Sequence, residues 1–308
     1  MIPPSGEQFE LALGDQRAVV VELGGGLREY TRAGRAVLDG YAVDAMCTSG
    51  RGQLLLPWPN RLRHGQYDFD GRRHQLALTE PENGNAIHGL VRWATWSVME
   101  HEAHRIVLEH ALLPQPGYPF ALLIRVEHAL APDGLSVRTR AANIGRDACP
   151  YGAGAHPYLA LGTDLVDPLE LRVPASTVLE PDEDGIATRP APVDGTEYDF
   201  RHRRQIGATT LDNAFTDLER ADDGLARVEL RHGDSGLDLW MDESYGYVMV
   251  FTGDPLPDVN RRSLAVEPMT CPPNAFRTGV DVVRLEPGEE LESVFGISIT
   301  PRPAPRSG

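Results

Sequence analysis

A chain of 308 residues with 29 lysines and arginines against 45 aspartates and glutamates has a formal charge of -16, which repels polyanions and excludes nucleic acid and anionic membrane surfaces as natural partners. Hydrophobic residues at 41% and charged residues at 24% supply a globular core and exclude a wholly disordered chain, and no apolar run reaches the roughly 18 residues that a membrane-crossing helix needs. The opening MIPPSGEQFE has neither the basic nor the apolar stretch of a secretion signal, so a cytoplasmic location is expected.

Apolar alternation with a period near two predicts strands over residues 9–13, 18–23, 95–100, 105–112, 120–130 and 135–143. Between the second and third of these, Gly24-Gly25-Gly26 reads as a turn, and 68–76 (DFDGRRHQL) reads as a hairpin around Gly71. Pro132, Asp133 and Gly134 join two further alternating runs as a hairpin. The second half continues with strands at 169–174, 226–232, 237–242, 247–253, 263–268 and 291–299, and no segment has a long 3.6-residue period with caps at both ends. With 31 glycines and 25 prolines placed mostly between the runs, the pattern predicts an all-β chain. We expect one large antiparallel β-sandwich domain over residues 1–300 and a flexible tail, PRPAPRSG, over 301–308.

Four stretches carry ionisable residues where a plain sandwich would accept something simpler. In LLLPWPNRLRHG (54–65), prolines on both sides of Trp58 hold the backbone extended and present Asn60 and Arg61 at a strand end. There Arg61 could clamp hydroxyls or a carboxylate and Trp58 could stack on a ligand, against the alternative of a surface arginine beside a core tryptophan. In NGNAIHGLVRW (83–93), His88 lies between Ile87 and Gly89, and on its own it reads as readily as a core histidine. In CPYGAGAHPYLALG (149–162), His156 stands among small residues before Pro157, a place for a proton-passing imidazole or for a structural one. In LAVEPMTCPPNAF (264–276), Glu267 ends an apolar run, and partial burial there raises a carboxyl toward the range a general base needs. Asp212 in TTLDNAFTDL could be a ligand or a turn cap.

Other features carry less. DEDG (182–185) lacks the ligand pattern of a calcium loop and is expected to be solvated, and His101 and His104 fall in a charged turn. Cys47, Cys149 and Cys271 are too few and too far apart for a disulfide framework or a CxxC motif, so reduced structural thiols are expected.

Taken together and in order, PWPNRLRHGQY, NAIHGL, AHPYLALG, LDNAFT and VEPMTCPPNAF resemble the aldose 1-epimerase (galactose mutarotase) family over nearly the whole chain. The resemblance implies the large antiparallel supersandwich and the interconversion of α and β anomers of a monosaccharide, with no metal and no cofactor. It implies Glu267 as general base and His156 as general acid, with Arg61, His88 and Asp212 holding the sugar and Asn60 beside them. AHPYLAL departs from the more common NHSYFNL at Ala155 and Pro157. GQLLLPWPNR with GNAIHGLVRW is similar to a bacterial subgroup thought to contain a sulfoquinovose mutarotase, and a further branch of the superfamily acts on hexose 6-phosphate. An anionic sugar, served by Arg92 or Arg61, therefore stands beside a free hexose as a substrate, and the chain is expected to act as a monomer or homodimer. The rival readings are a glycosidase using Asp212 and Glu267, a sugar-binding protein without turnover, and a metal site built from His88, His156 and Glu267.

Overall fold

The alternating runs assemble into two large antiparallel sheets, seen in a computed structural model that describes residues 2–300; the tail expected at 301–308 lies outside the described residues. The larger sheet has nine strands in the order Arg204–Gln205, Glu170–Arg172, Ala226–His232, Ser235–Met241, Glu290–Thr300, Gly134–Asn143, Leu122–Ala131, Arg105–Leu112 and Ser97–Glu102. The smaller has six, in the order Tyr158–Leu159, Leu264–Met269, Tyr247–Phe251, Asp212–Leu218, Ala175–Pro181 and Ala187–Pro192. A four-stranded sheet at the N-terminus adds Leu11, Val20 and Tyr30 to the core. Strands hold 49% of the chain and helix 2%, so the all-β expectation holds. Among the described residues no helix is long and apolar enough to cross a membrane.

The core lies between the two large sheets, because every second side chain of a strand faces the same way. Ile106, Val126 and Leu239 enter it from the larger sheet and Val178, Phe215 and Val266 from the smaller, all 1% exposed or less. Each such side chain contributes about 1.5–3 kcal/mol by leaving water. The expected hairpins form with Ala131 opposite Gly134 and Phe69 opposite Arg72. Cys47, Cys149 and Cys271 are free and buried.

Several strands escaped the sequence reading, Leu27–Arg32, Asp212–Leu218, Ala175–Pro181 and Ala187–Pro192 among them. Asp212–Leu218 opens on Asp and Asn, poor strand formers, and Asp212 is its first residue rather than a turn cap. Ala175–Pro181 and Ala187–Pro192 contain prolines, which the latter tolerates as the edge of its sheet, where a missing N–H breaks no ladder. Trp58 is no ligand platform: it is 2% exposed and packs in the core against Phe276 at 5.6 Å. Nor is the DEDG segment wholly solvated, since Asp182 turns inward to pair with Arg63 and to accept the N–H groups of Asp184 and Ile186.

Candidate active site

The strand Leu264–Met269 sends Leu264 and Val266 into the main core and turns Ala265, Glu267 and Met269 to the opposite face. There Met249 stands opposite Glu267 and Tyr247 opposite Met269, and these side chains join Leu179, Ala187 and Ala214 in a separate apolar cluster. Glu267 is thus 2% exposed, and its Oε2 has no hydrogen-bond partner. Burial, then the charge of Asp212, pushes its carboxyl well above the usual range, and Arg61 pulls back only in part.

His156 is carried to Glu267 by irregular backbone. Bridges from Ala155 to Leu54 and from Gly154 to Met269 flank it, its N–H donates to the Gln53 carbonyl at 3.0 Å, and its own carbonyl accepts the Gly52 N–H at 2.9 Å. Its Nε2 lies 3.3 Å from Glu267 Oε1, while Nδ1 is buried without a partner. Burial first, then the charge of Arg92, pushes its pKa down to about 3. Both groups are therefore driven toward their neutral forms.

Asn60 and His88 form a reciprocal pair of left-handed residues, with φ of 55° and 62°. The Asn60 N–H donates to His88 Nδ1 at 3.1 Å, and the His88 N–H donates to the Asn60 carbonyl at 3.0 Å. Because Nδ1 accepts, the proton of the neutral ring sits on Nε2, and burial holds the pKa well below the ordinary histidine value. The Asn60 side chain accepts the Arg61 N–H at 2.8 Å, so this oxygen shapes the turn. Gly89 gives room to backbone rather than to a ligand: at φ +71°, a Cβ there would lie 1.9 Å from the Leu56 carbonyl oxygen. The His88 ring meets that of His156 edge-on, at 5.3 Å and 75°.

Arg61 heads the short strand Arg61–Arg63, paired with Asn85–Ile87. Its Nε and one terminal nitrogen grip Glu80 at 2.9 Å each, leaving the other terminal nitrogen free of that clamp. Burial pulls the guanidinium pKa down, but Glu80 more than restores it. Asp212 is exposed to solvent, yet the protein around it is dense enough that burial outweighs Arg61 and raises its carboxyl. Arg92, half-buried, donates only long hydrogen bonds, to Gln53 Oε1 at 3.4 Å and to the Ile87 carbonyl at 3.3 Å. Among the described residues it has no carboxylate partner, and burial lowers its pKa.

The structure brings Glu267, His156 and His88 together, with ligand atoms all within 4.8 Å of one another, a spacing from which a metal could also be gathered. Arg61 and Asp212 are near enough to act on the charge of Glu267. The sequence reading missed Glu80, whose setting in TEPENGN looks like any solvated turn. Glu80→Gln keeps an acceptor but removes the charge that fixes Arg61. We expect KM to rise on the order of tenfold with kcat within about threefold, which steady-state kinetics would check. A concavity of about 590 Å³ on the outer face of the larger sheet is a different matter: Arg105, Arg125, Arg138 and Arg140 there are each paired to a glutamate.

The chain matches the family model described as aldose 1-epimerase over residues 7–298. It is 37% identical over 294 residues to the Escherichia coli K12 protein YihR, described as uncharacterized, covering 95% of this chain and 93% of that one. In fold it is similar to a GalM/aldose epimerase homologue of C. elegans, with a TM-score of 0.84 at 18% identity and 95% and 98% of the two chains covered. It is also similar to a galactose 1-epimerase of Lactobacillus acidophilus, with a TM-score of 0.78 at 19% identity and 94% and 93% covered.

Proposed function

This chain belongs to the aldose 1-epimerase family, isomerases that act on carbohydrates, and on that premise we propose that it interconverts the α and β anomers of a free hexose, with Glu267 as base and His156 as acid. The observation that carries the reading is the buried contact of 3.3 Å between Glu267 and His156, each with a second polar atom left without a partner. Ring opening must remove the proton of the C1 hydroxyl and deliver one to the ring oxygen. When the bound sugar draws the one proton of the pair onto the imidazole, the Glu267 carboxylate and the His156 imidazolium have that inventory. Glu267 takes the hydroxyl proton as C1=O forms, the C1–O5 bond breaks, and O5 receives the proton of His156. Rotation about C1–C2 turns the other carbonyl face inward. O5 then attacks C1, its proton returns to His156, and Glu267 gives its own back to the new hydroxyl. Arg61, His88 through Nε2–H, and Asp212 hold the sugar in register with the pair. This chemistry asks for no cofactor.

A second reading, an anionic sugar, is favoured by Arg92, a half-buried cation with no carboxylate whose charge reaches both imidazoles. Polarimetry of freshly dissolved α-D-glucose, α-D-galactose, glucose 6-phosphate and sulfoquinovose separates the two. Acceleration of the neutral sugars supports the free-hexose reading. Acceleration of a charged sugar alone, falling tenfold or more in Arg92→Met, supports the second. Relaxation of all four at the buffer rate would leave a sugar-binding protein.

A further inference from the structure

A histidine that passes protons is normally aimed by a carboxylate or carbonyl bonded to its second nitrogen. His156 has no such partner: Nδ1 is buried and unbonded, and Nε2 faces Glu267. Something else must hold the plane of the ring, because a misplacement of about 1 Å at a reacting group costs on the order of 10²-fold in rate.

We propose that Tyr158 is the positioning residue for His156, orienting the imidazole by stacking in place of the absent hydrogen bond. The two rings lie nearly parallel, 4.9 Å apart with 14° between their planes. Tyr158 is itself fixed. It is 1% exposed, its hydroxyl donates to the Ser49 carbonyl at 3.0 Å, and it pairs with Ala265, two residues before Glu267 on the neighbouring strand. One rigid sheet therefore carries both the base and the support of the acid. Arg51 lies 5.8 Å from the centre of the tyrosine ring and is 7% exposed. It is held by Thr48 Oγ1 at 2.7 Å and by Asp258, through a carboxylate oxygen and the carbonyl, at 2.9 Å each. The same loop closes another side of the imidazole at Gly50, where a Cβ would come within 2.8 Å of His156 Cδ2. With His88 edge-on, packing confines the ring while Nε2 keeps its place beside Glu267.

The inference rests on His156 being the acid, so His156→Gln is the control. Tyr158→Phe keeps the ring and loses the hydroxyl, and Tyr158→Leu loses the ring. With folding monitored by circular dichroism, the phenylalanine variant is expected within about threefold of wild type in kcat and KM. The leucine variant is expected to lose about 10²-fold in kcat with KM within about threefold, because chemistry is disturbed and hydroxyl binding is not. Wild-type kcat in the leucine variant, equal losses in both variants, or a raised KM with kcat intact would each overturn the proposal. Should the leucine variant not fold, Asp258→Asn frees Arg51 from the exposed end of the clasp: a severalfold loss of kcat at unchanged KM supports the proposal and unchanged kcat sinks it. A fully active His156→Gln protein would instead remove the acid assignment on which the inference stands.

Discussion

Glu267→Gln is expected to slow enzyme-driven anomer relaxation by about 10³-fold or more while leaving the protein folded. A positioned base contributes about 10²–10⁴-fold, and no other carboxylate of the site is as buried. The amide fills the same space beside Met249 and Met269 but cannot take the hydroxyl proton. Polarimetry measures the loss; a variant within tenfold of wild type would assign the base elsewhere. The same substitution acts on stability. Burial raises the Glu267 pKa in the folded state, so above the unfolded value of about 4.3 the folded protein binds more protons than the unfolded one, and stability falls as pH rises. Glutamine has no such dependence. The melting temperature of the variant should therefore gain on wild type between pH 4 and pH 8, a trend that calorimetry at several pH values would detect.

His156→Gln should cost about 10²–10³-fold in kcat, and adding it to Glu267→Gln should cost little more, since the pair shares one proton and acts as a unit. Additive losses would show two independent groups. Its effect on stability has the opposite sign with pH. With a folded pKa of about 3 against an ordinary 6.5, the unfolded chain takes up a proton that the folded chain refuses, so stability falls as the solution is acidified through that window. The glutamine variant should lose less stability than wild type between pH 6.5 and pH 4.

Strands with clean alternation, such as Arg105–Leu112 and Ala226–His232, were legible residue for residue, because burial on one face leaves a period-two trace in the sequence. The ionisable groups set among apolar or small residues, Glu267 and His156 among them, stood out for being costly to bury. What could not be read were partners far along the chain. Asp258 meets Arg51 across 207 residues, and Phe276 is what makes Trp58 a core residue rather than a platform. Glu80 and Tyr158 have local contexts of a turn and an apolar strand, and only the fold gives them something to hold.

The three buried cysteines have a practical consequence. Burial pushes Cys47 and Cys149 up to about 11 and Cys271 to about 12, so the thiolate that alkylating reagents require is scarce in the native protein. Cys47 sits next to the Thr48–Arg51 loop, whereas Cys149, opposite Leu285, and Cys271, just beyond the strand of Glu267, lie on either side of the Tyr151–Gly152 segment. A short pulse of iodoacetamide followed by mass mapping would time the opening of the Cys47 loop against that of the region holding Cys149 and Cys271. The chain thus contains its own unfolding clock and needs no introduced label.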